Sequence, residues 1–283
     1  MAQTTTVQEQ FPQPPKVSVI IPSFDGKRGG NLNRLKEQLA GQTLPPHEIV
    51  VVVGVSPNGR ARNEGVKKAS GDYYVFIDDD VTLGDNRVIE NLISPFSEPS
   101  QHIGMTGPSQ LLPDNSTWLQ RAAARQLPRS DFPVQKELVD SDMVTHMCLC
   151  MPAQLFKDVG WENPDIIAGT DPDLRHRVRE AGYRVCVVPN TWAYHPMPET
   201  LLKILRLSYI KGRNSAKVRK SHPELVLELD NGFKKTFAAR RSLAFRVFRT
   251  LGIFLWSILT LKFIQSAATI AYATGNMVES CRR

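Results

Sequence analysis

The sequence is poor in cysteine, with four in 283 residues: Cys148, Cys150, Cys186 and Cys281. They are too sparse for a disulfide framework and lack the paired spacing of a zinc site, so they read as reduced thiols of a cytoplasmic setting. No internal repeat is visible, which excludes a solenoid or an array. No basic stretch followed by an apolar one opens the chain; residues 1–15 are polar and proline-bearing and read as a disordered lead-in, not a signal peptide. No uninterrupted apolar run reaches the ~20 residues that cross a bilayer. No nucleic-acid-binding motif accompanies the net charge of +7, and nucleic acid is set aside as a partner.

What remains is an ordinary globular composition, 41% apolar and 22% charged, long enough for one large domain with an appendage. Charge is divided unevenly. Residues 201–283 hold 16 Lys/Arg against 4 Asp/Glu, which leaves the first 200 residues mildly acidic. Such asymmetry points to an anionic partner for the tail.

Along the chain, residues 17–21 form a short β-branched run, a first parallel strand closed by Pro22, since proline cannot continue a central strand. Asn31 stands as a capping residue before Leu32, Leu35 and Leu39, whose spacing predicts an amphipathic helix ending near Gly41. Residues 48–53 read as a second strand, apolar on both faces and so covered on both sides. A turn at 56–59 and a helix over 60–69 lead to a third run, Tyr73 to Ile77. Strand, helix, strand, helix, strand implies parallel pairing with right-handed crossovers. The alternation continues with helices at 87–96 and 118–126 and strands at 102–105 and 144–151. A short helix at 152–159 follows, then a strand at 183–188 ending at Pro189. Residues 127–142 have no clear period and read as an acceptor-side loop.

The third strand ends in Asp78-Asp79-Asp80. Three charges cannot be buried together, so they belong at the strand's carboxyl edge, where open parallel sheets bind ligands. Oxygen ligands in that place suit Mg²⁺ or Mn²⁺; the alternative is an acidic turn that only solvates the strand end. A second acidic stretch is Gly169-Thr170-Asp171-Pro172-Asp173-Leu174. Asp before Pro suits a helix N-cap. Asp173 and Arg177 are spaced for a helix-surface pair, whereas Asp171 and Asp173 cannot share a face, so only one of the two points into a site. His195 is read either as a structural histidine or as a ligand.

Taken together, these stretches resemble the family 2 glycosyltransferases with a GT-A fold. The resemblance is carried by Val17-Ser18-Val19-Ile20-Ile21-Pro22-Ser23-Phe24, Ala61-Arg62-Asn63-Glu64-Gly65 with Gly71-Asp72-Tyr73, Asp78-Asp79-Asp80, Gly169 to Leu174, and Gly182-Tyr183-Arg184-Val185. It spans residues 17–195 and implies a Rossmann-like, mostly parallel sheet flanked by helices over 16–198. It also implies an inverting transfer of a sugar from a nucleotide-diphosphate donor to an acceptor hydroxyl. Carried over by position, Asp78 and Asp80 hold Mg²⁺ or Mn²⁺ with His195 as a further contact, and Asp171 is the base. Pro22, Ser23, Arg62, Asn63 and Asp79 are the implied donor contacts. Tyr209-Ile210-Lys211-Gly212-Arg213-Asn214 is similar to an aromatic-x-x-x-Arg-Asn element of some bacterial members, and adds Arg213. Two departures stand out: Val52-Val53-Gly54-Val55-Ser56 lacks the usual acidic base contact, so uridine is not carried over, and Thr170 replaces a common acid.

The region 199–283 reads as a basic helical extension. Its apolar runs 250–261 and 263–278 are separated by Lys262, which favours a membrane-lying or re-entrant helical hairpin over a single spanning helix or a soluble subdomain. Basic flanks suit anionic headgroups on the cytoplasmic side, with a glycan or lipid-linked acceptor there. The competing functions are a nucleotidyltransferase, favoured by the basic loop Gly26-Lys27-Arg28-Gly29-Gly30, and a non-catalytic sugar-nucleotide-binding protein.

Overall fold

The computed structural model describes residues 14–127, 133–167, 169–221 and 242–282. Almost all of the expected lead-in, part of the expected acceptor-side loop and the basic segment 222–241 lie outside the described residues. The strands are β1 (Val17–Ser23), β2 (Glu48–Val53), β3 (Tyr73–Ile77), β4 (Thr82–Leu83), β5 (Ile103–Leu111), β6 (Val139–Asp140), β7 (Cys148–Pro152) and β8 (Arg184–Tyr194). They join in one sheet, ordered β2-β1-β3-β7-β5-β8-β4, with β6 also on β8. The helices of this body are α1 (Asn31–Ala40), α2 (Asn58–Val66), α3 (Val88–Ile93), α4 (Trp118–Gln126), α5 (Ala153–Asp158) and α6 (Thr170–Glu180).

Side chains alternate across the strands, and each face of the sheet buries its own cluster. On one face Val17, Val19, Ile21, Val75 and Ile77 pack with Leu32, Leu35 and Leu39 of α1 and with Val88, Ile89 and Leu92 of α3. On the other, Ile20, Tyr74 and Phe76 pack with Val66 of α2, Phe156 of α5, and Leu174 and Val178 of α6. The α/β class therefore holds. Burial pushes the Cys148 and Cys186 thiols up to about 12, so these sulfurs are inert packing atoms, unpaired like Cys150 and the exposed Cys281.

Several local expectations give way. β1 pairs in parallel with β2 and β3, as expected, but it does not stop at Pro22. Its pairing with β3 ends at Ile20↔Phe76, so the last residues of β1 have only β2 beside them, and a missing N–H costs little there. β2 is the edge strand and only half-buried, with Val53 52% exposed, not covered on both sides. β7 runs antiparallel to both β3 and β5, because a tight turn joining Thr145 to Cys148 reverses the chain before the strand begins. β8 continues through Pro189 by a register shift against β5, where Asn190 takes a left-handed φ of 49°. Asn31 does not cap α1. Gly30 does so with φ 91°, and the Asn31 amide bonds elsewhere.

The extension consists of α7 (Leu201–Ser221), α8 (Leu243–Leu259) and α9 (Phe263–Cys281). α7 and α9 cross backbone to backbone. A Cβ at Gly212 would lie 2.0 Å from the Tyr272 carbonyl oxygen, and one at Gly275 would lie 2.1 Å from that of Tyr209. Gln126 of α4 accepts the Ile264 N–H through Oε1 at 2.9 Å, fixing the start of α9 to the main body. α8 and α9 follow one another, joined at residues 260–262. Among the described residues no helix is long and apolar enough to cross a membrane.

Gly212→Ala tests the crossing. Backbone cannot yield as a flexible side chain would, so overpacking should cost about 1–3 kcal/mol and lower the melting temperature by several degrees. Calorimetry reads this directly, and an unchanged transition would show that α7 and α9 are not so closely joined.

Candidate active site

Because β1 and β3 run in parallel, Ser23 and Asp78 arrive at the same edge of the sheet, and antiparallel β7 starts there too. The turn after β3 is built by the backbone: the Asp78 N–H donates to Met147 O at 3.1 Å and the Val81 N–H to Asp78 O at 3.2 Å. Asn31 Nδ2 donates to both Asp79 O and Val81 O at 2.9 Å, so the amide expected as a helix cap instead shapes the acidic turn.

Each carboxylate of the turn has a different partner. Asp78 Oδ1 accepts from Arg62 Nη2 at 2.9 Å, and Asp79 Oδ2 accepts from Ser23 Oγ at 2.6 Å. Asp80 Oδ2 accepts from Arg28 Nη2 at 2.5 Å, while its Oδ1 lies 3.4 Å from His195 Nε2. Arg28 Nε also stands 3.6 Å from Asp79 Oδ1. Burial raises the Asp78 carboxyl above its ordinary value, and Arg62 only partly offsets this. Burial works the same way on Asp80, but His195 and Arg28 outweigh it and hold that carboxyl below its usual range. Burial disfavours charge on His195, yet Asp80 and Asp78 prevail and raise it; Lys211 opposes them. Among the described residues no group of three His, Cys, Asp or Glu is arranged to hold a metal ion. The donor chemistry of Asp78, Asp80 and His195 nevertheless suits Mg²⁺ or Mn²⁺. Two cations, Arg28 and Arg62, and the His195 ring already gather on these carboxylates, which marks a concentration of negative charge.

The second station lies at the start of α6. Its N-cap is Gly169, in a left-handed conformation with φ 92°, and Asp171 lies inside the first turn, so Asp171 is not the cap. The Asp171 Oδ1 accepts from the backbone N–H of His146 at 2.7 Å and lies 2.6 Å from His146 Nδ1. The other ring nitrogen of His146, Nε2, contacts Glu162 Oε1. His146 and Glu162 are buried, while the Asp171 side chain keeps 35% of its surface exposed. Asp173 turns the opposite way and pairs with Arg177 at 2.7 Å, as the spacing requires.

Two expected donor contacts are used otherwise. The Asn63 amide donates to Glu162 O at 2.8 Å and accepts the Glu162 N–H at 3.0 Å. Arg213 pairs with Glu279 of α9 at 2.8 Å, and it is Lys211, two residues earlier, whose charge reaches His195. Pro22 is buried within β1 opposite Val52. Arg28, Asn31, His146 and Glu162 went unassigned in the sequence. A basic loop flagged Arg28, and a polar residue inside the apolar run 144–151 was the only sign of His146. Glu162 left no signal.

The mixed sheet flanked by helices, with the acidic turn at the end of β3, is a GT-A fold. The chain belongs to the glycosyltransferase-like family 2, whose model matches residues 37–209, and it is a glycosyltransferase. Among solved structures it is similar to the mannosyltransferase PcManGT from Pyrobaculum calidifontis in complex with GDP-Man and Mn²⁺, at TM-score 0.57 and 17% identity, covering 93% of this chain and 87% of that one. It is also similar to GalNAc-T7 with UDP, GalNAc and Mn²⁺, at TM-score 0.50 and 14% identity, over 75% of this chain but only 55% of that one. No curated protein sequence matches the chain. The family match sets aside the nucleotidyltransferase and non-catalytic readings.

Mn²⁺ binding to the intact protein checks the first station. Loss of a mere outer partner of a metal site costs about 10–100-fold in affinity, so Asp80→Asn should weaken Mn²⁺ binding by at least ~10-fold in calorimetry. Equal affinity in parent and variant would remove Asp80 from the ligand set.

Proposed function

We propose that this enzyme moves a sugar from a nucleotide-diphosphate donor to an acceptor hydroxyl with inversion, using Mg²⁺ or Mn²⁺ at Asp78 and Asp80 with His195, and Asp171 as the base. The observation that carries the reading is the linkage of both acidic stations to one helix. Arg62 of α2 holds Asp78, and the next residue, Asn63, holds the backbone of Glu162, which touches His146 beside Asp171. This linkage supports a reading in which the first station serves the donor and the second the acceptor.

A divalent cation bound at the first station supplies the charge that a departing diphosphate requires. Ser23 orients Asp79 from the β1 side, and Asn31 fixes the turn that presents all three carboxylates. At the second station Asp171 Oδ1 is engaged by His146, so Oδ2 is the atom that would take the acceptor proton as the new bond forms. Attack from the side opposite the leaving group inverts the anomeric carbon.

The reading extends to the setting: the enzyme works at an anionic membrane surface, on its cytoplasmic side, in polysaccharide or glycolipid synthesis. What supports this is α8, whose large apolar residues Leu251, Leu255, Trp256 and Leu259 are all exposed, with Arg246 and Arg249 on the same helix. Such a helix lies in an interface with its cations toward headgroups.

Incubation with GDP- and UDP-sugars and Mn²⁺, with water as surrogate acceptor, tests the chemistry. Slow hydrolysis is expected, lost in chelator and restored by Mg²⁺ or Mn²⁺, and ¹H NMR of the first-formed sugar should show the inverted anomer. Asp171→Asn should slow this at least ~100-fold while retaining metal and nucleotide-diphosphate binding; near-parental turnover would mean the base lies elsewhere.

For the setting, replacing the exposed Leu255 and Trp256 by Asp should abolish flotation with vesicles containing anionic lipid, and salt should weaken flotation of the parent. Undiminished flotation of the variant would exclude α8 as the contact.

A further inference from the structure

His146 and Glu162 are expensive residues for a protein interior. Glu162 is 1% exposed and His146 3%; His146 Nε2 contacts Glu162 Oε1, and among the described residues neither Glu162 carboxylate oxygen has an aligned hydrogen-bond partner. A buried charged pair is a poor source of stability, and well-packed apolar residues of similar volume are often neutral or better. The contacts show what the pair does. The His146 ring stands edge-on to Phe76, at 6.0 Å between centroids, with Glu162 at Nε2 and Asp171 at Nδ1. Asp171 Oδ1 thus accepts twice from one residue, through the ring and the backbone N–H, and the carboxylate cannot rotate without losing both bonds. Glu162 in turn cannot drift, since Asn63 holds its backbone on both sides.

We propose that Glu162 and His146 form a buried strut of positioning residues, an imidazolium held between Glu162 at Nε2 and Asp171 at Nδ1, which locks Asp171 with Oδ1 engaged and Oδ2 turned to the acceptor. The strut rests on the assignment of Asp171 as base. A base misplaced by about an ångström can lose about 10²-fold in rate, so orientation alone justifies buried charge. The charged groups around His146 are consistent with a doubly protonated ring. Burial and Arg62 of α2 oppose its charge, but Glu162 and Asp171 outweigh them and raise His146 above its ordinary value. Asp78 at the end of β3 adds a further attraction. Burial would raise Asp171, yet His146 first, and then Arg175 on α6, hold it far below the usual carboxylate range. The negative charge of Glu162 keeps the triad from becoming neutral and leaves net charge for Asp171 to share with the incoming proton.

Glu162→Gln tests the strut, with hydrolysis of GDP-mannose or UDP-GalNAc in Mn²⁺, whichever the parent turns over, as the readout. The expected result is kcat lower by about tenfold or more with KM for the donor within about threefold. The alkaline limb of the kcat profile should also move to lower pH, because the ring loses the carboxylate that favours its charged form. If Glu162 acts through Asp171, the double variant E162Q/D171N is no slower than D171N alone. A Glu162→Gln enzyme with parental kcat and pH profile, or additive losses in the double variant, overturns the strut and leaves Asp171 as base. Near-parental turnover of D171N overturns the base assignment itself. Should Glu162→Gln not fold, NMR of the intact parent decides: ring ¹⁵N shifts assigned by comparison with His146→Gln should show both nitrogens protonated at pH 7, and a neutral imidazole would overturn the proposal.

Discussion

Three adjacent carboxylates at the end of a buried strand repel one another, and the fold around them is organised to answer that repulsion. Asn31 grips the backbone of the turn so that the side chains cannot retreat, and Arg28, Arg62, Ser23 and His195 each meet one of them. The partners come from the ends of β1 and β8, the loop before α1 and the middle of α2, so the segments around the sheet edge converge on one concentration of charge. Strand direction makes this possible, because only parallel β1 and β3 bring Ser23 and Asp78 out at the same side.

Much of this was legible in the residues. The run Tyr73 to Ile77 followed by three acids announced a strand reaching a sheet edge, and the apolar spacing of Leu32, Leu35 and Leu39 gave α1 nearly to the residue. Proline misled twice: Pro22 and Pro189 are tolerated because one has lost a neighbouring strand and the other sits at a bulge, and neither circumstance is visible without the pairing. Asp171 before Pro172 matched a cap, yet Gly169 with its left-handed backbone took that place and freed the carboxylate for His146. Pairings such as Asn63 with Glu162 join residues far apart in the chain, and no local pattern encodes them.

The same limit explains Arg213. Its place in a short motif suggested the donor; on α7 it pairs with Glu279 of α9, while the charge of Lys211 is felt at His195. Residues two apart on a helix diverge by roughly half a turn, so the choice between them depends on which face the partner helix covers.

The crossing of α7 and α9 through Gly212 and Gly275 has a mechanical meaning. With carbonyl oxygens where side chains would stand, no rotamer can absorb relative motion, and the two helices form one stiff lever. α8 joins that pair at the start of α9, so its exposed apolar side is carried on the same stiff unit.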